Sequence, residues 1–156
     1  MATNEKLVEV LNDLLHINND RIKGYQRAAE ETKMTDTDLQ AFFLKLADDS
    51  RKHASKLTEQ ITILGGEPTN ETTNMGKIYR VWMDLKAAFT GQDSHAILQS
   101  CEYGEDAAQR AYRDAFSSDA EMSAEVRQLI TSQQAELKLS HDTVKKYRDM
   151  HKVVLS

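Results

Sequence analysis

Apolar residues recur at intervals of three and four along most of the chain, the spacing that places them on one face of an α-helix. Two such runs cover about residues 3–31 and 36–64, and two more cover about residues 94–116 and 120–152. The second run is the most regular, and its members are Leu39, Phe43, Leu46, Ser50, His53, Leu57, Ile61 and Leu64. The pattern therefore predicts four long helices.

The breaks between these runs carry residues that end or begin helices. Helix 2 is predicted to start near Asp36, where Thr35 and Asp38 have the spacing of a capping box, and to end at Gly65-Gly66. The stretch GGEPTNETTNMG then reads as a loop. A short amphipathic helix is predicted at about 77–89, with Ile78, Trp82, Leu85 and Phe89 on its apolar side.

The lengths of the connections predict the topology. Helices 1 and 2 are joined by a few residues, as are helices 3 and 4, so each pair should form an antiparallel hairpin. The connection between the hairpins is long enough to run the length of a bundle, as in ferritin-like proteins. We therefore predict an all-α, ferritin-like four-helix bundle in one domain, 1–156, with a crossover that contains a short helix. An ordinary up-down-up-down bundle is the alternative, and it requires the Trp82 helix to pack as a fifth element.

Composition narrows the classes of function. The charge of −5 comes from 25 acidic and 20 basic residues spread along the chain, without a basic block for nucleic acid. No stretch approaches the roughly 20 apolar residues that a membrane-spanning helix needs. The single cysteine, Cys101, cannot form an internal disulfide and fits a small buried apolar side chain. We expect a cytoplasmic protein with no nucleic-acid or membrane partner.

Each predicted long helix carries polar residues at mid-length on its inner side. They are Asn18; Ser50 and His53; Glu105; and one of Gln133, Ser140 or His141. Burying an acid or an imidazole among leucines costs several kcal/mol unless the group is paired, hydrogen-bonded or bound to a metal. A polar network at one level of the bundle is therefore expected.

Several local sequences resemble a known family. They are INNDRIKGYQRAAE, LADDSRKHASKL, the following GGEP, and SHDTVKKYRD near the end. With tyrosines seven residues after Asn18 and after Glu105, nearly the whole chain resembles an uncharacterised bacterial family of four-helix-bundle proteins in the ferritin-like superfamily. Metal-loaded members of that superfamily hold two ions with one Glu from each of two helices and a Glu-x-x-His from each of the other two.

This chain departs from the metal-binding pattern of the superfamily. Asn18 replaces one carboxylate, and the two Glu-x-x-His motifs read Ser50-x-x-His53 and Lys138-x-x-His141. The residues that the resemblance leaves as candidate metal ligands are His53, Glu105, His141 and Glu102. They supply too little negative charge for a stable dinuclear iron site.

Two functions follow from these observations. The sequence favours a non-catalytic structural or interaction protein without a cofactor, with His53 a core histidine bonded to Glu105 or to a backbone carbonyl. The alternative is a metal-binding protein or metal-dependent oxidase with a reduced site that holds Fe, Mn or Zn weakly. The partner is not specified by the sequence, but exposure of part of the Trp82 helix would favour a homodimer.

Overall fold

The computed structural model describes residues 2–32, 36–69 and 94–155, and within them the chain forms four α-helices and no strand. The helices are α1 (Ala2–Thr32), α2 (Thr37–Ile63), α3 (Ser94–Ser117) and α4 (Ala124–Leu155). The first three predicted helices agree with these bounds to within one residue at each end. The all-α class with four helices is thus confirmed, whereas the helix predicted at 77–89 lies outside the described residues.

The start of α4 differs from the prediction. The apolar pattern predicts a start near 120, but the helix begins at Ala124, where the Ser123 hydroxyl accepts a hydrogen bond from the Val126 amide at 3.2 Å. Such a side-chain bond satisfies one of the amides left free at a helix start. Ala120 is buried and Met122 packs against the core although both precede the helix. Their apolar side chains therefore extend the helical pattern to about 120, although the helix itself starts at Ala124.

Local hydrogen bonds explain both ends of α2. Asp36 is the N-cap, and its carboxylate accepts from the Leu39 amide at 2.9 Å. The helix ends through Gly65, whose φ of +83° is in the left-handed region that favours glycine. The amide of Gly66 then donates to the Ile61 carbonyl at 2.9 Å. This turn directs the following residues back along α1, where Asn12 bonds to the backbone of Glu67.

The helices pack as four antiparallel neighbours. The α1 helix contacts α2 and α3, and α4 contacts the same two helices from the opposite side. Paired positions run in opposite order in each case: Asn18 bonds to Tyr112 and Arg21 to Glu105, for example, between α1 and α3. Because α2 and α3 are both antiparallel to α1, they run in the same direction.

Two apolar clusters fill the bundle, one toward each end. The first includes Leu11, Leu57, Ala108 and Ile130, and the second includes Tyr25, Phe43, Cys101 and Val144. On α1, α2 and α3, polar side chains occupy the positions between the clusters, at Asn18, Arg21, Ser50, His53 and Glu105. The polar level is therefore enclosed by apolar side chains above and below.

The described helices are amphipathic and rich in charge, and none of them contains an apolar stretch that could cross a membrane.

Candidate functional site

A buried ion pair lies at the middle of the bundle. Arg21 on α1 is 2% exposed and Glu105 on α3 is 1% exposed. The Arg21 Nε donates to Glu105 Oε1 at 2.9 Å, and Nη2 donates to Oε2 at 3.0 Å. This two-pronged geometry matches the planar guanidinium to both carboxylate oxygens and is among the strong charge-assisted arrangements in proteins.

The remaining contacts of Arg21 complete its environment. Its Nη1 donates to the Ser50 hydroxyl of α2 at 2.8 Å, and that hydroxyl donates to the Leu46 carbonyl at 2.8 Å. The guanidinium carbon lies 5.5 Å from the centre of the Tyr25 ring, within the range of a cation–π contact. Burial is the largest single influence on the pKa of Arg21 and lowers it, but the charge and hydrogen bonds of Glu105 together with Tyr25 and Tyr112 raise that pKa overall.

A second chain of hydrogen bonds adjoins the ion pair and reaches α4. The Asn18 amide donates to the Tyr112 hydroxyl at 2.9 Å and to the Leu14 carbonyl. Tyr112 donates to Gln133 Oε1 at 2.6 Å, and Gln133 Nε2 donates to the His53 carbonyl at 3.2 Å. We call Asn18, Arg21, Ser50, Glu105, Tyr112 and Gln133 the central network. The members of the central network come from all four described helices, and Gln133 is the member from α4. The predicted polar network is therefore present.

His53 has a different partner from the one that the sequence suggested. Both oxygens of Glu105 accept from Arg21, and His53 Nε2 instead lies 3.2 Å from the largely exposed carboxylate of Glu136. The His53 side chain is buried, and this burial together with the charge of Arg21 lowers its pKa to about 4. His53 is thus a neutral histidine on the edge of the central network.

The other two candidate ligands, Glu102 and His141, meet on the outer face between α3 and α4. Asp106, which the sequence did not single out, joins them, and one potential ligand atom from each lies within 4.8 Å of the others. We call Glu102, Asp106 and His141 the outer cluster. Lys138, from the second His-bearing motif, also faces solvent and pairs with Asp142. The structure therefore divides the four candidates between two places.

The central network does not fit a dinuclear metal centre. Asn18 and Ser50 hold hydrogen bonds at positions where carboxylates would be needed, and Glu105 is already neutralised by Arg21. A further positive charge 4 Å from the guanidinium would meet a repulsion of about 4 kcal/mol per unit charge at an effective dielectric constant near 20. Within this site the guanidinium supplies the positive charge that a metal would otherwise bring.

Sequence reasoning missed Arg21, the residue with the most contacts in the central network. Arginine is almost never fully buried without a partner, so an arginine in a helix rich in charge is normally predicted to face solvent. Its position three residues after Asn18 and four before Tyr25 was the available signal, since residues at those spacings share a helical face.

These features define the class of the protein as a four-helix bundle with a buried polar network that joins the four helices of the described residues. Residues 6–118 match the model of the family described as "Domain of unknown function (DUF2383)", and the chain belongs to that family. The match covers α1 from residue 6 onward and all of α2 and α3, and it ends before the start of α4. A search of curated proteins found no match.

Breaking the central ion pair from one side should destabilise the fold more than removing it whole. Arg21→Met strands a buried carboxylate, so we expect a loss of about 3 to 5 kcal/mol in the free energy of unfolding. Adding Glu105→Leu removes the stranded charge and should recover much of that loss. Urea denaturation of the two single variants and the double variant measures this coupling.

The exposed pair Asp48 and Lys52, one turn apart on α2, provides the matched control. Its coupling should be about 0.5 kcal/mol or less, because solvent screens such pairs. Additive effects of Arg21→Met and Glu105→Leu would contradict the role assigned to the central pair.

The stability of the protein should fall as pH decreases from about 6.5 to about 4 because of His53. The folded state lowers the pKa of His53 to about 4, whereas an unfolded histidine titrates near 6.5. Between these values the unfolded state binds the extra proton, so the contribution of His53 to stability is full above about 6.5 and is lost toward about 4.

The contribution of His53 to this pH dependence should be about 3 kcal/mol between the two limits. Urea denaturation across this pH range should show a flatter dependence of the unfolding free energy on pH in His53→Gln than in the wild type. Equal slopes for wild type and His53→Gln would contradict the assignment.

Proposed function

We propose that this protein is a ferritin-like bundle without a working dimetal centre and that it serves as a non-catalytic structural or interaction protein. The observation that carries the proposal is the ion pair of Arg21 with both oxygens of Glu105, the carboxylate that the metal pattern would retain. A protein arginine there stabilises the fold without any ion to supply reactivity. We do not expect an enzyme or a cofactor bound at the bundle centre.

The ferritin-like topology is part of this proposal. Since α2 and α3 run in the same direction, the end of α2 at Ile63 and the start of α3 at Ser94 lie at opposite ends of the bundle. A 27-residue helix is about 40 Å long, and the intervening chain can cover that distance. We propose that this segment is the crossover, with the short helix at about 77–89 within it.

The alternative is a metal-binding protein or a metal-dependent oxidase with a reduced site at the bundle centre. His53 and Glu105 would be its ligands, but they have different hydrogen-bonding partners, Glu136 and Arg21. Opening such a site would require the removal of a buried guanidinium from its counter-charge, which is costly. The bundle centre therefore favours the non-catalytic function.

Elemental analysis of protein purified without chelators tests the proposal. We expect less than one iron or manganese per chain, and no oxygen consumption above that of buffer after ferrous iron is added, because Arg21 occupies the centre. The same measurements on Glu105→Gln serve as the control, and they should not change. Near-stoichiometric iron with oxygen consumption, both lost in Glu105→Gln, would overturn the proposal.

We propose further that the protein acts as a cytoplasmic homodimer, paired through the apolar side of the predicted helix at about 77–89. Light scattering coupled to size exclusion should then give a dimer mass for the wild type and a monomer mass for Trp82→Glu, which places a charge on that side. Leu139→Glu, at an exposed leucine of α4, is the matched control and should remain dimeric. A strictly monomeric wild type, or dissociation by Leu139→Glu alone, would contradict this pairing.

A further inference from the structure

We propose that Glu102, Asp106 and His141, the outer cluster, form a binding site for a single divalent transition-metal ion, for which zinc is the best match. The site lies on the outside of the bundle, so it is separate from the central network and does not depend on the proposed function. An imidazole with two carboxylates is a ligand set that zinc accepts, with water completing the coordination.

The backbone brings these three ligands together. Glu102 and Asp106 are four residues apart on α3 and therefore share one face of the helix. His141 approaches that face from α4, and its Nε2 lies 2.7 Å from Asp106 Oδ1. Ligand atoms in a tetrahedral zinc site are about 3.4 Å apart, given bonds of about 2.0 to 2.2 Å. The present separations are all within 4.8 Å, so zinc binding would require the ligand atoms to move by little more than about 1 Å.

A neighbouring carboxylate orients the histidine for metal binding. His141 Nδ1 lies 3.3 Å from Asp142 Oδ1, within hydrogen-bonding distance. When Nδ1 carries the proton that bonds to Asp142, the lone pair of Nε2 points toward Asp106 and Glu102. Carboxylate–histidine–metal arrangements of this kind are the usual support of metal-binding histidines.

Metal binding would displace a proton from between His141 and Asp106, and it would separate Glu102 from Arg148. Binding replaces the hydrogen between His141 Nε2 and Asp106, so any proton held there is released to solvent. Glu102 is paired with Arg148, but Nε and Nη2 of Arg148 also donate to Asp149 at 3.1 and 2.8 Å. Arg148 therefore retains a carboxylate partner after Glu102 turns to the ion.

A cavity next to the outer cluster leaves room for further ligands. It has a volume of about 460 Å³ and shares Asp106 and His141 with the cluster. Gln109, Asp142 and three basic residues line the rest of it, and the basic residues, Arg110, Arg113 and Lys138, suit water or a small anion on the metal. The buried Nε2 of Gln109, also on its wall, has no acceptor among the described residues. A metal-bound oxygen would offer one.

Zinc titration against a chromophoric chelator, in phosphate-free buffer near neutral pH, tests the site in the full chain. We expect one zinc per chain, with binding at least tenfold weaker in His141→Gln and about 10- to 100-fold weaker in Asp142→Asn, which removes the orienting carboxylate. Arg148→Gln should bind zinc more tightly than the wild type, because it frees Glu102.

The matched control is His16→Gln, since the half-buried His16 contacts Thr69 and belongs to no such cluster among the described residues. Its zinc affinity should equal that of the wild type. The absence of saturable zinc binding, or equal affinity in His141→Gln and wild type, would overturn the site. Because the bundle-centre test follows iron and the variant Glu105→Gln, the two proposals can fail independently.

Discussion

The fold depends on the burial of one charge pair, Arg21 with Glu105. Neither charge is tolerable alone in an apolar interior, so α1 and α3 must meet in the single register that joins them. Ser50 fixes α2 to the same guanidinium, and the adjoining hydrogen bonds from Asn18 through Tyr112 bring α4 to the same level. Apolar side chains stabilise the bundle over its length, but they would permit neighbouring registers that these polar contacts do not.

Much of the fold can be predicted from the sequence, because buried residues recur at the period of the helix. The stripe of α2 from Leu39 to Ile61 is buried at every member, including Ser50 and His53. The same holds in α3, where Glu105 occupies a core position between Cys101 and Ala108. Polar residues inside apolar stripes therefore indicate the level of the central network from the sequence alone. The length of the segment that joins the hairpins favours the proposed ferritin-like topology.

The partners within the network are not readable in this way, because they depend on which side chains reach across the bundle. His53 and Glu105 lie on the stripes of two helices, so the sequence suggests that they pair. Arg21 lies beside the α1 stripe, but it binds Glu105 because it has a longer side chain and a permanent charge. The sequence does not decide which residue of α4 joins the central network among Gln133, Ser140 and His141. The reason is that the roughly 3.6-residue helical repeat drifts relative to a seven-residue pattern over many turns. The Tyr112 hydroxyl selects Gln133, and His141 turns outward.

The position of the two charges makes the hairpins inseparable. Arg21 belongs to the hairpin of α1 and α2, and Glu105 to that of α3 and α4, so each half alone presents a naked charge on its apolar face. A chain in which only one hairpin has formed must keep that face hydrated until the other hairpin packs against it. Docking of the two hairpins neutralises both charges in one step, which couples the folding of one hairpin to that of the other.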